Sequence, residues 1–184
     1  LFFCVSCRGP IKSREVLLDY INDPAHGLIQ IREINNIKAV LTYKPWQLLT
    51  PSMRQLKTGT PVSGGFNYNN KLFFVFSLSA DQKELLRQLE YGQYSEMVQL
   101  MSFRMPDYIK VKTDLGKEYV PENCILQQTY GLANSNSLLI IFNNSELLSS
   151  KQLHIKIREF GLNIGNMNFV FDSDNIKNIP EIAF

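Results

Sequence analysis

The residue whose type and spacing most clearly invite chemistry is a thiol. Leu1-Phe2-Phe3-Cys4-Val5-Ser6-Cys7 is an apolar run that closes on a small residue and then a cysteine. A lipoprotein signal peptidase needs an apolar segment lodged in the bilayer, a small side chain just before the cut, and a thiol that takes up diacylglycerol. Ser6-Cys7 supplies the last two. The spacing therefore predicts residues 1–7 as the end of a lipoprotein signal with Cys7 acylated, 8–12 as a short tether, and 13–184 as one globular domain. On this reading a basic n-region precedes Leu1. The run itself could not span a bilayer, which takes about 20 apolar residues. Acyl chains would carry the membrane affinity instead, at about 0.8 kcal/mol per buried methylene. The competing reading is a first β-strand or a frayed apolar end.

Other reactive residues are sparse. The histidines are His26, in a turn beside Pro24 and Gly27, and His154, on the polar face of a strand, which argues against a His-based metal site. With Cys4 removed and Cys7 acylated, Cys124 is the remaining cysteine, so no intramolecular disulfide is expected. It falls early in a predicted strand and reads as a small buried thiol rather than a nucleophile. Asp172-Ser173-Asp174-Asn175 lacks the turn glycine and distal glutamate of a calcium loop and reads as a strand-ending turn. Gly59-Thr60-Pro61-Val62-Ser63-Gly64-Gly65 has glycines at phosphate-loop distance, yet Gly65 stands where the lysine must be. Asn143-Asn144-Ser145 matches a glycosylation sequon and reads as a turn. Trp46, with Phe66 and Tyr68 and the neighbouring Tyr43, forms a candidate aromatic platform for a sugar, although aromatics more often fill cores.

The elements that must hold these residues come from an ordinary composition. Apolar residues make up 45% and charged residues 20%, with 12 Phe and 8 Tyr tilting the chain toward sheet. A net charge of +2, spread along the chain, offers no electrostatic footprint for nucleic acid. At 184 residues one core suffices.

Ser13 is placed to cap a helix burying Val16, Leu17, Tyr20 and Ile21, which Asp23-Pro24 stops. Two β-branched runs, 28–34 and 37–43, flank Asn35-Asn36; asparagine tolerates the left-handed backbone of a two-residue hairpin turn, and this register sets Glu33 against Lys38. Residues 45–56 read as a short helix or an irregular crossing, and 58–70 as a loop. Lys71 to Leu78 is apolar on both faces, as a central strand would be. Asp81 and Glu84 suggest a capping box for a helix carrying Leu85, Leu86 and Leu89 and ending at Gly92. Tyr94, Met97, Val98, Met101 and Met105 repeat at helical spacing, a stripe that reads as core packing. Beyond Asp107 the pattern is nearly all strand: 108–112, 117–120, 123–130, 138–142, 153–158 and 167–171, with a hairpin candidate at Asp114-Leu115-Gly116-Lys117. The expected class is α+β, predominantly antiparallel β and sandwich-like, with about three helices in the N-terminal half.

Three stretches carry a resemblance: Asp23-Pro24 through Gly27-Leu28 with the following hairpin and Tyr43-Lys44-Pro45; Tyr94-Ser95 through Phe103-Arg104-Met105; and Tyr130-Gly131-Leu132 before an apolar strand. Their order resembles a family of uncharacterised outer-envelope lipoproteins of Bacteroidetes-type bacteria. The resemblance implies a protein anchored in the outer membrane through the acylated Cys7; the family carries no established activity and none of these stretches is a catalytic signature, so no other functional residue is transferred. No cofactor is expected, and the expected partner is another envelope protein or a glycan. Arg8, Lys12 and Arg14 stand where acidic residues often favour surface display in such bacteria, so periplasmic and surface-facing orientations both stay open. The leading expectation is a non-enzymatic interaction or structural module. The alternatives are a glycan-binding lipoprotein using Trp46, Phe66 and Tyr68, and a hydrolase-type enzyme using Cys124 or paired carboxylates.

Overall fold

A computed structural model describes residues 13–49, 70–143 and 146–180. Cys7, Phe66, Tyr68, the 59–65 glycine run and Asn144-Ser145 lie outside the described residues. Helix α1 spans Arg14–Asn22, and Ser13 caps it by accepting the Val16 N–H at 3.2 Å. Leu17 and Ile21, one turn apart, form its buried stripe with Leu18 and Tyr20 at the flanks. Val16 lies off that stripe and is exposed, contrary to the expectation from sequence.

Strands β1 (Ile29–Ile34) and β2 (Ile37–Tyr43) form the predicted hairpin. Asn35 and Asn36 take φ of 50° and 63°, and Glu33 pairs with Lys38. Next in the sheet comes β3 (Lys71–Ala80), followed after the turn by the two-residue β4 (Lys83–Glu84). Helix α2 (Tyr91–Phe103) leads into β5 (Ile109–Thr113), β6 (Glu118–Tyr119), β7 (Asn123–Gln127) and β8 (Asn136–Asn143). Strands β9 (Gln152–Ile157) and β10 (Met167–Asp172) and the short helix α3 (Ser173–Lys177) complete the order.

All strand pairings are antiparallel, in two sheets among the described residues. The larger runs β1-β2-β3-β8-β7, and the smaller runs β10-β9-β5-β6. Their apolar faces meet: the Phe74 ring lies 5.1 Å from Phe171 and the Phe76 ring 6.3 Å from Phe169. Strand β3 is the central strand expected from its two apolar faces. Leu72, Phe74 and Phe76 enter the main core, whereas Phe73 joins Leu49, Leu139 and Ile141 in a smaller cluster on the other face.

The helix expected over Asp81 to Leu89 is not one. Asp81 and Gln82 both take left-handed φ, 50° and 58°, and form a two-residue turn between β3 and β4. Leu86–Gln88 makes only a single 3₁₀ turn. Strand pairing won because Ser79 and Ala80 gain ladder partners in Glu84 and Lys83, which a capped helix would forfeit. Gly92 consequently lies inside α2 instead of ending a helix. Nor are the helices gathered in the N-terminal half: α2 crosses the middle of the chain and α3 lies near its C-terminal end.

Candidate functional site

The site arises where one edge of β3 changes partner. From Lys71 to Leu78 that edge pairs with β8, and at Ser79 and Ala80 it pairs with β4. The gap between the ends of β8 and β4 is bridged by one side chain, Asn136, whose Oδ1 accepts the Leu86 N–H at 2.8 Å. Asn136 is itself buried, so its amide seals an otherwise orphaned donor. Alongside this junction runs a cleft of about 170 Å³. Leu86, Val98 and Leu126 give it an apolar floor, and Glu84, Arg87, Tyr94, Gln128, Thr129 and Tyr130 line the rest.

Glu84 is only 5% exposed, and it is the one carboxylate lining the cleft. Its Oε1 accepts bonds from the Thr129 hydroxyl and, at 3.2 Å, from the Gly131 N–H. Both donors come from the loop joining β7 to β8. A buried carboxylate is costly unless hydrogen-bonded, and this loop supplies that compensation. Among the described residues no donor bonds to Oε2, the second oxygen of the same group.

Tyr130 and Gly131 shape the loop. Both take left-handed backbone, with φ of 51° and 82°. Gly131 tolerates this freely, and a Cβ there would lie 1.9 Å from Arg87 Nη1, so a larger residue would displace the Arg87 guanidinium from its place beside the loop. Tyrosine is a bulky residue for such a conformation. The outcome is a ring 81% exposed at the cleft mouth, its hydroxyl donating to Gln128 Oε1 at 3.0 Å. Tyr94, at 40% exposure, faces the same space from α2. The same stripe of that helix buries Met97 and Met101, which with Met105 belong to the core, as the sequence spacing predicts.

The sequence-nominated residues fall elsewhere. Trp46 is partly buried against Leu49, Phe73, Leu139 and Ile141, near the opposite end of β3 from Glu84. Tyr43 is buried on the main-core side, edge-on to Phe74 at 5.4 Å, and burial pushes its hydroxyl pKa up to about 12. It therefore does not share a surface with Trp46. Cys124 faces the main core opposite Ile140, and burial pushes its thiol pKa up to about 12, far from a nucleophile's range. His26 stacks on Tyr20 with ring centroids 3.6 Å apart, and His154 sits in β9 opposite Lys112 and Val170. Neither is brought to Cys124. Asp172 caps α3, its Oδ1 accepting the Asp174 N–H at 2.8 Å. Among the described residues no three of His, Cys, Asp and Glu gather to hold a metal.

Sequence reading missed Glu84 because its spacing to Asp81 fits a helix cap. It missed Tyr130 because the strand pattern reads through to that residue, whereas the strand ends at Gln127. A signal was present in Tyr130-Gly131, since a glycine after a strand marks a turn. Two of the three segments that carry the sequence resemblance, those containing Tyr94 and Tyr130, meet at this cleft. Comparison with protein families, with characterised proteins and with solved structures finds no match.

Proposed function

We propose that this chain is a non-enzymatic binding module of a bacterial outer membrane, a sandwich-like domain tethered by acyl groups on Cys7 and offering the Glu84 cleft to an envelope partner. The observation that carries the binding reading is the cleft's construction. A buried carboxylate is held by a loop whose strained turn pushes an aromatic ring into solvent, and such strain persists only where the surroundings enforce it. The anchor reading rests on Ser6-Cys7 after the apolar run. Ser13 stands six residues after Cys7, which sets the reach between them at no more than about 20 Å, so in this reading the domain rides close to the lipid surface. Among the described residues no helix is long and apolar enough to cross a membrane.

Cys7→Ser tests it directly. Cells fed labelled palmitate should incorporate label into the wild-type chain and not into the variant, and the variant should leave the membrane pellet. A variant that remains membrane-bound, or a wild-type chain without label, would exclude the anchor.

A further inference from the structure

We propose that the cleft between Glu84 and Tyr130 binds a single neutral pyranose unit of a glycan; this assignment rests on the domain being a binding module and names its ligand class. Polarity and shape of the cleft converge on it. Glu84 is nine-tenths buried and keeps Oε2 free of protein donors among the described residues, so it is ready to accept a ligand hydroxyl. Arg87 is exposed, and among the described residues its guanidinium pairs with no carboxylate, so it is ready to donate. One acid and one base leave the cleft without net charge, which suits a neutral ligand whose hydroxyls both accept and donate. The amides of Gln127 and Gln128 extend the same mixed polarity.

The remaining features concern shape. A pyranose has an apolar face of C–H groups inside a rim of hydroxyls, and an aromatic ring with an apolar face and a polar tip matches it. Tyr130 and Tyr94 present two such rings at the mouth. The volume of about 170 Å³ falls below the 300 to 1,000 Å³ typical of drug-sized ligands, and fits one sugar ring with its chain continuing outward. An amino acid or dipeptide could also address Glu84 and Arg87 through its charged ends. That pairing would leave the tyrosine rings with no apolar face to cover.

The test uses the full chain in a detergent without sugar head groups. Methyl glycosides of glucose, galactose, mannose and N-acetylglucosamine, with trisaccharides of the same sugars, are titrated calorimetrically, and alanyl-alanine forms a parallel arm. At least one sugar series should bind saturably and tighten from monosaccharide to trisaccharide. Tyr130→Ala and Arg87→Ala, both exposed and expected to fold, should each weaken binding by about tenfold. Glu84→Gln should weaken it further, and circular dichroism identifies any variant that misfolds. Saturable binding of alanyl-alanine alone, lost in Arg87→Ala, would overturn the sugar assignment and leave the binding module standing. Sugar binding unchanged by both exposed variants would overturn the assignment of this cleft. No binding in either arm would overturn the sugar assignment and leave a protein as the partner of the binding module.

Discussion

Gln30 shows how much one side chain can do for this fold. Its amide accepts the Val170 N–H at 3.1 Å through Oε1 and donates to the Val170 carbonyl through Nε2, so it presents to β10 the donor and acceptor that another strand would present. Arg32 extends the contact, donating to the Asn168 carbonyl at 3.1 Å with its guanidinium 5.3 Å above the Phe169 ring. An uncovered strand edge is a template for unwanted pairing, and these two side chains cover it. Gln30→Ala leaves both Val170 groups without their partner and should cost about 1 to 3 kcal/mol. Urea unfolding should show a lower midpoint with an unchanged slope, and a midpoint equal to wild type would mean the contact contributes nothing to stability.

At the level of elements, the β3–β4 hairpin is held in a conformation its turn residues do not favour. Left-handed backbone costs an ordinary L-residue about 1 to 2 kcal/mol, and Asp81 and Gln82 both adopt it. Aspartate tolerates the region through local hydrogen bonds, whereas glutamine has no such advantage. Gln82→Gly should raise stability by about 1 kcal/mol or less, because the relief of strain is partly offset by the flexibility of glycine in the unfolded chain. A thermal midpoint higher by up to about 2 to 4 °C is expected, and a lower one would show that the Gln82 side chain contributes more than its backbone costs. The same hairpin sets the position of Glu84, so the turn links local backbone preference to the cleft.

A second loop is organised around its own carboxylate. Glu159 Oε1 accepts N–H groups from Phe160 at 3.1 Å, Gly161 at 2.8 Å, Leu162 at 2.7 Å and Asn163 at 3.0 Å, and Oε2 accepts that of Gly165. Partial burial pushes its pKa up, but the backbone donors outweigh it and hold the carboxyl below its ordinary value. This carboxylate therefore does for the loop between β9 and β10 what a bound anion does for an open nest of amides.

Across the whole molecule, two sheets pack through phenylalanine rings, and carboxylates tie the loops and hairpin of the smaller one. Asp114 accepts from the Ser150 hydroxyl and the Lys151 N–H, joining the β5–β6 hairpin to the start of β9, and the Ser150 bond chiefly lowers its pKa. Glu146 accepts from Lys117 at 2.7 Å and Tyr119 at 2.6 Å, which likewise holds its pKa down. With Glu159, these groups bind a proton less readily folded than unfolded. Their stabilisation is complete above the unfolded carboxyl range, near pH 4 to 5, and is lost as pH falls through their lower folded values. The urea midpoint should thus hold steady between pH 7 and about 5 and drop below about 4. Glu159→Gln should lower stability at pH 7 and flatten part of the acid decline. An acid profile identical to wild type would remove Glu159 from this account.

The elements legible from residue order were those decided by near neighbours. Asn35-Asn36 alone satisfies the left-handed turn of the first hairpin, and the flanking β-branched residues then impose the register that sets Glu33 against Lys38. The two apolar faces of β3 and the methionine stripe of α2 follow from periods of two and 3.6 residues, which any chain carries in its side-chain order. Asp81 and Glu84 obey a helix rule equally well, and only the ladder bonds of Ser79 and Ala80 overrule it. The cleft was beyond such rules altogether: Thr129 lies 45 positions from Glu84 and Asn136 lies 50 from Leu86, so their bonds exist only once the sheet has formed. Local preference specifies backbone conformation over a few residues, whereas a site depends on which distant segments share a face, and that is settled by how the two sheets bury their apolar surfaces.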